Sequence, residues 1–279
     1  MILCIGRSGQ LGCEMARLDG VHCAGRDVAD LTDPAGCAAF IRRTAPEAVV
    51  NAAAYTAVDA AEADEDAAHL VNAEAPAAMA AACADLGIPF VQVSTDYVFD
   101  GTGNAARAPD APTAPLGAYG RTKLAGEEGV RASGGVHAVL RTSWVVSAHG
   151  SNFVTTMLRL GAEREALRVV ADQIGGPTPA RDLARACHAI ARALVADPGL
   201  SGTYHYAGAP DVSWAGFARA IFDAAGLDCA VTDIPSRDYP TPAARPLNSR
   251  LDVSATEAAF GLARPDWREG LAEIMKDLT

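Results

Sequence analysis

Two short stretches carry residues that could do chemistry together: "STDYVFDG" at 94–101 and "YGRTK" at 119–123. On a helix, positions i and i+4 share a face, so Tyr119 and Lys123 would stand side by side. A free phenol, with a pKa of about 10, is a poor acid–base group at neutral pH, and an adjacent ammonium ion favours the phenolate and brings that value down. Ser94 and Thr95 close an apolar run of strand character. A hydroxyl at the carboxyl end of a strand can hydrogen-bond a carbonyl oxygen and turn it toward the phenol. The set offers a polariser, a proton donor and a pKa-lowering cation. Taken alone, a Tyr and a Lys four apart are more often structural, so the surroundings must decide.

Those surroundings begin at the first apolar run, which leads into "IGRSGQLG", with Gly6, Gly9 and Gly12 in a GxxGxxG spacing. Glycine lets the backbone turn tightly and approach a pyrophosphate with no Cβ in the way. An ordinary tight turn would use the same residues. First strand, first turn and first helix is nevertheless the position a dinucleotide fold gives this element, so Gln10 and Leu11 belong with the glycines as cofactor candidates. After the second strand come Arg26, Asp27, Asp30 and Leu31. An acidic residue here suits the ribose hydroxyls of NAD and an arginine suits a 2′-phosphate, which leaves NADH and NADPH both open. "NAAAYT" at 51–56 ends the third strand in small residues, including Ala53, Ala54 and Tyr55. Small side chains there admit the adenine side of a cofactor, or simply a closely packed helix.

The elements that would position these residues alternate. Strand candidates are 1–5, 21–24, 48–51, 90–94 and 138–141; between them lie helical stretches at 11–18, 35–43, 60–86 and 122–131. Continuous apolar strands alternating with helices predict a Rossmann-like, doubly wound parallel sheet covered on both faces. Pro76 predicts a kink or break in the alanine-rich stretch 60–86. Beyond 145 the alternation loosens, with a helix from Phe153, a strand near Val169, a helix over 181–195, a strand at Tyr204 and a helix over 214–224. The expected division is a dinucleotide-binding domain at 1–145, to which later segments can return, and a smaller, mainly substrate-binding domain at 146–279. "RDYPTPAARPLNSRLD" holds three prolines and reads as an irregular, ligand-facing segment.

Half of the 279 residues are hydrophobic and a fifth are charged, enough apolar content for a sizeable core. A net charge of −11 without a basic stripe argues against nucleic-acid binding, and an anionic ligand would need local arginines to hold it. Seven cysteines, an odd number with no CxxC, read as buried thiols. With no long apolar stretch and no leader pattern, the expectation is a cytoplasmic protein without a membrane anchor.

The chain also resembles a known family, the extended short-chain dehydrogenase/reductases, and within it the dTDP-4-dehydrorhamnose reductase group. The likeness runs nearly the full length, through "GRSGQLGCE", "VVNAAAYTAVDAAE", "STDYVFDGTG", "PLGAYGRTKLAGE", "LRTSWV", "VVADQIGGPT" and "RPLNSRLD". It implies NAD(P)H-dependent reduction of the C4 ketone of a nucleotide-linked 4-keto-6-deoxysugar, with Thr95, Tyr119 and Lys123 as the catalytic trio. It puts Gln10, Leu11, Asp30, Ala53, Ala54, Val93, Tyr119 and Lys123 at cofactor contacts, and Thr95, Asp96 and Trp144 at the deoxysugar. Read without the resemblance, Trp144 is a core residue. Arg245 is a candidate for the nucleotide diphosphate or, equally, a structural salt bridge. "NAARAPDAPTAP", with Arg107 and Pro109, and Val146–Ser147 depart from the family pattern and leave other 4-keto-6-deoxysugars open. A non-catalytic, cofactor-binding regulatory subunit is the alternative from another class. Some relatives bridge a dimer with magnesium; Glu14 matches one ligand position, but Arg181 lies near another, so the expectation is no metal, Glu14 facing solvent or the first turn of its helix, and at most a metal-free homodimer.

Overall fold

The computed structural model describes residues 1–278. The first half runs β1 (Ile2–Ile5), α1 (Gln10–Met15), β2 (Val21–Ala24), α2 (Pro34–Thr44), β3 (Ala48–Asn51), α3 (Val58–Ala61), α4 (Glu65–His69), α5 (Ala75–Leu86), β4 (Phe90–Thr95), α6 (Ala118–Ala132) and β5 (His137–Thr142). The second half runs β6 (Val145–Val146), α7 (Phe153–Glu163), β7 (Ala166–Val170), β8 (Ile174–Gly175), β9 (Thr178–Pro179), α8 (Ala180–Ala196), β10 (Gly202–His205), β11 (Val212–Ser213), α9 (Trp214–Ala225), β12 (Ala230–Ile234), β13 (Asn248–Ser249), α10 (Ser254–Phe260) and α11 (Trp267–Leu278).

Six strands form one parallel sheet in the order β10-β5-β4-β3-β1-β2, so the sheet takes its last strand from residues 202–205. The chain order reverses between β1 and β3, which opens a crevice outside the carboxyl ends of the strands at that point. Alternation along each strand feeds two cores. Ile2 and Cys4 of β1 pack under α1 and α8, with Leu183, Cys187 and Ile190, whereas Leu3 and Ile5 pack under α2 and α5, with Ile41 and Met79. A third apolar cluster joins α7, α9 and α11 through Phe217, Phe222, Trp267 and Leu271. All seven cysteines are free thiols, five of them buried. No helix among the described residues is long and apolar enough to cross a membrane.

The alanine-rich stretch does not break at Pro76. It breaks at residues 62–64, where the Asp64 carboxylate accepts the Ala67 N–H and starts α4, and from Glu65 the helix runs on to Leu86 through one π turn at Leu70–Glu74. Pro76 sits in the first turn of α5, directly after the wide turn, where its missing N–H is tolerated. Helix α6 uses this irregularity. Gly126 packs so close to the Asn72 carbonyl of the π turn that a Cβ would collide with it. The break itself holds the other end of α6: Glu62 Oε1 accepts the Ala118 N–H at 2.7 Å, and Glu65 takes the Arg121 guanidinium through two bonds of 2.7 and 2.9 Å.

Gly126→Ala must therefore push α6 off the π turn. We expect a loss of about 1–3 kcal/mol in urea unfolding, the usual cost of overpacking against rigid backbone; an unchanged midpoint would contradict this account of the packing.

Candidate active site

The glycine-rich turn is a cradle built from backbone. Gly6 holds φ at +112°, a conformation L side chains rarely adopt, and a Cβ there would stand 2.9 Å from the Ala53 nitrogen. Gly12 faces inward, against the Gly6 carbonyl oxygen, and leaves no room for a Cβ. The turn thus exposes Gly6 and Gly9 to a cleft of about 840 Å³ that crosses the carboxyl ends of five strands. Following the order of the sheet, the lining passes from Arg26, Ala29, Asp30 and Leu31 after β2, through Gly6–Leu11 after β1 and Ala52–Ala54 after β3, to Val93–Tyr97 after β4 and Thr142–Val145 after β5. Tyr119 and Lys123 of α6 close the far end. A long cleft with small residues and a bare backbone turn at its centre fits an extended dinucleotide.

Most of the expected residues come together here: Gly6, Gly9, Gln10, Leu11, Arg26, Asp30, Leu31, Ala53, Ala54, Val93, Thr95, Asp96, Tyr119, Lys123 and Trp144 all line the cleft. Three do not. Gly12 only lets α1 pack against the turn. Tyr55 is turned away, its backbone N–H and C=O both bonded to the buried Asn72 side chain at 2.9 and 3.1 Å. Arg245 lies outside the lining, bound to Asp59 by two bonds of 3.0 and 2.8 Å, so of its two readings the geometry favours the salt bridge. No residue of the proline-rich tail, 237–252, lines the cleft itself, although Ser249 reaches the Asp96 carboxylate. The sequence reading passed over Arg7, Ser8, Tyr97, Thr142 and Ser143, each next to a motif residue, and Gly150 and Ser151. The last two come from a loop brought in by distant contacts that no local pattern signals: Ser147 donates to Gln10 Oε1 at 2.9 Å, and His149 Nε2 stands 3.1 Å from Glu14 Oε1.

The chemistry-bearing end is largely buried and tightly bonded. Thr95 donates to Asp96 Oδ1 at 3.1 Å and accepts the Tyr97 N–H at 3.2 Å. Asp96 is 3% exposed and its other carboxylate oxygen has no partner. Burial pushes its carboxyl up to about 6. Tyr119 is partly buried, its ring edge-on to Tyr97 at 5.4 Å. Desolvation pushes its phenol up to about 12; the Thr95 hydroxyl works against this and the Asp96 charge adds to it. The expected lowering by Lys123 is not found. The Lys123 ammonium is 3% exposed and donates to the Val93 carbonyl at 2.8 Å instead, and burial, partly opposed by Glu127, brings it down to about 8. The phenol is consequently fully protonated at neutral pH, the state a proton donor needs.

Trp144 is both things the sequence allowed. Its indole lies 3.5 Å from that of Trp214 and nearly parallel, as a packed side chain would, yet it also lines the cleft. Its φ of +51° is unusual for a bulky residue and presents the ring from a strained backbone, the kind of outlier that accompanies function. Glu14 departs from expectation. It is 4% exposed rather than solvent-facing, because α8, α11 and the 147–151 loop close over α1. Arg17 at 3.3 Å, Arg181 at 3.6 Å and His149 at 3.1 Å surround its carboxylate. Among the described residues no group of three or more His, Cys, Asp or Glu is arranged to hold a metal ion.

Comparison with known proteins adds a family to this geometry. The model of the RmlD substrate binding domain matches residues 1–279. The dTDP-4-dehydrorhamnose reductase of Burkholderia thailandensis is 46% identical over 99% of this chain and 98% of its own. Among solved structures, a dTDP-4-dehydrorhamnose reductase from Clostridium acetobutylicum superposes with a TM-score of 0.92 at 37% identity, over 99% of each chain. The enzyme of that name from Bacillus anthracis, solved in complex with NADP, gives 0.91 at 33% identity over 99% of this chain and 98% of its own. With a match of this extent in sequence and in fold, the chain belongs to the dTDP-4-dehydrorhamnose reductase family.

Proposed function

We propose that this protein reduces the C4 ketone of dTDP-4-dehydro-L-rhamnose to the alcohol of dTDP-L-rhamnose, using NADPH or NADH. The observation that carries the reading is the gathering of Thr95, Tyr119 and Lys123 at one end of a cleft whose centre is a bare glycine turn. The reduced nicotinamide, when bound, supplies the hydride. The protein's own residues manage the oxygen that becomes an alcohol. The Tyr119 phenol, protonated at neutral pH, gives its proton to the developing alkoxide. The phenolate left behind is an anion in a poorly hydrated site, and the Thr95 hydroxyl and the Lys123 ammonium are the groups that stabilise it. Thr95 also polarises the carbonyl. Asp96 accepts a sugar hydroxyl through its unpartnered oxygen, and the Trp144 indole offers a flat apolar surface to the 6-deoxy face.

In this reading Arg245, whose guanidinium is bound to Asp59, serves as a structural salt bridge rather than as a contact to the nucleotide diphosphate. We further infer that no metal is required at Glu14, because two guanidinium groups and an imidazole occupy the space oxygen ligands would need.

Two measurements test the roles. Tyr119→Phe keeps the ring and removes the acid, so turnover should fall by about 10²–10⁴ while cofactor binding, read by fluorescence titration, stays within a few-fold; near-wild-type turnover would remove Tyr119 from the mechanism. The wild-type profile of kcat/KM should decline as pH rises through about 8, where the buried Lys123 gives up its proton, and be flat below that limb down to the titration of Asp96 near 6. A profile still level a full unit above 8 would contradict an electrostatic role for Lys123.

A further inference from the structure

A flat surface for a sugar has to keep one orientation, and the Trp144 indole stands on a backbone whose φ is +51°. What holds it lies one layer behind the cleft. Trp214, the first residue of α9, stacks on the ring with centroids 3.5 Å apart and planes at 12°, yet does not itself line the cleft. Gly175 of β8 closes in on the same ring, where a Cβ would stand 3.0 Å from Trp144 Cε2 and 3.2 Å from Cζ2. Trp214 is fixed in its turn. Its Nε1–H donates to Gln173 Oε1 at 3.2 Å, and the buried Gln173 donates through Nε2 to Ser236 Oγ at 2.9 Å. Ser236 is tied to Asp172 by its hydroxyl at 2.6 Å and its N–H at 2.8 Å. The small sheet β11-β8-β13 joins these parts: β11 runs straight into Trp214, β8 directly follows Gln173, and Ser249 of β13, paired with Gly175, reaches the Asp96 carboxylate. No proton or hydride step uses this assembly, but it backs both residues read as sugar contacts.

We propose that Trp214, anchored through Gln173, is a positioning residue for the sugar: it holds the Trp144 indole in one orientation and so sets how strongly a 6-deoxyhexose is preferred over the bare nucleotide. The inference rests on the reading of Trp144 as the sugar surface given above. An indole free to turn would lose that freedom each time a sugar bound, and the loss would be subtracted from the affinity. A second ring stacked against it removes the freedom beforehand, and the hydrogen bond to Gln173 stops that second ring from rotating in its own plane. Phe153, with its ring centroid 4.4 Å from that of Trp214, adds apolar packing to the same support. Because Trp214 does not line the cleft, any effect of changing it on the sugar has to pass through Trp144. An aliphatic side chain at 214 would fill space without presenting a parallel face; a phenyl ring would still present one.

Isothermal titration of the protein saturated with NADPH, using dTDP-L-rhamnose and dTDP in turn, tests this without turnover. Neither ligand can react with the reduced cofactor, and only the first carries the sugar. In Trp214→Leu the affinity for dTDP-L-rhamnose relative to dTDP should fall about three- to tenfold, the worth of one aromatic stack, while the affinity for dTDP itself stays at the wild-type value. Trp214→Phe, which keeps a flat ring, should hold the ratio within about twofold of wild type. Trp144→Leu should lower the ratio at least as far as Trp214→Leu. A wild-type ratio in Trp214→Leu, an equal loss for both ligands, or a Trp214→Phe ratio as low as that of Trp214→Leu would overturn the positioning role and leave the sugar reading of Trp144 in place. If Trp144→Leu keeps the wild-type ratio, the sugar reading of Trp144 fails and the role of Trp214 falls with it. No binding of dTDP-L-rhamnose to the wild-type protein would remove the reductase reading and this inference together.

Discussion

The buried carboxylate of Glu127 is the joint on which the site's geometry depends. It is fully enclosed and every approach to it is taken: Ser94 of β4 donates at 2.6 Å, Arg141 of β5 through two bonds of 2.7 and 2.9 Å, and Arg131 of its own helix at 2.7 Å. Burial alone would raise its pKa, but the paired guanidinium groups and the Ser94 hydroxyl hold it below the usual carboxylate range. A buried ion pair of this kind contributes little net stability against an apolar substitute, and its value lies in fixing one arrangement. Here it locks α6, which carries Tyr119 and Lys123, to the strand ends that carry Thr95 and Thr142. Its charge also supports the Lys123 ammonium one turn earlier on the same helix. His205, 3.4 Å from Arg141 and held down to about 4 by burial and that guanidinium, stays neutral and adds no competing charge.

The other end of α6 is fixed by different means to the same purpose. Glu62 takes the free N–H of Ala118, and the π turn admits Gly126 at backbone distance. The phenol and the ammonium are thus carried on a helix tied at both ends, while the glycine turn is held by steric necessity at Gly6 and Gly12. The cleft between them is walled by elements that packing and hydrogen bonds hold in place, the arrangement that electrostatic stabilisation without reorganisation calls for.

Much of this was legible in the sequence because it is local. The first five sheet strands follow from continuous apolar runs, and the glycines of the turn, like the two members of the Tyr–Lys pair, each lie within a few positions of one another in the chain. What the sequence withheld depends on contacts between distant segments. Pro76 looked like a break, but a π turn just before it absorbs the missing N–H, and the real break is set by Asp64 as a cap. Tyr55 looked like a cleft residue until Asn72 claimed its backbone. Arg245 and Glu14 are placed by partners 186 and 135 residues away in the chain, Asp59 and His149. The relation of Tyr119 to Lys123 was right in proximity and wrong in electrostatics: a helical spacing says nothing of the Val93 carbonyl that takes the ammonium, or of the desolvation that raises the phenol.

The central claim is that this cleft reduces one ketone and delivers a proton to one oxygen. Incubating the purified protein with dTDP-4-dehydro-L-rhamnose and a stoichiometric amount of NADPH, and following the mixture by NMR, tests it most directly. The account predicts one molecule of NADPH oxidised for each ketone lost and a single product, dTDP-L-rhamnose. Unchanged NADPH and ketone, or accumulation of the C4 epimer, would contradict it.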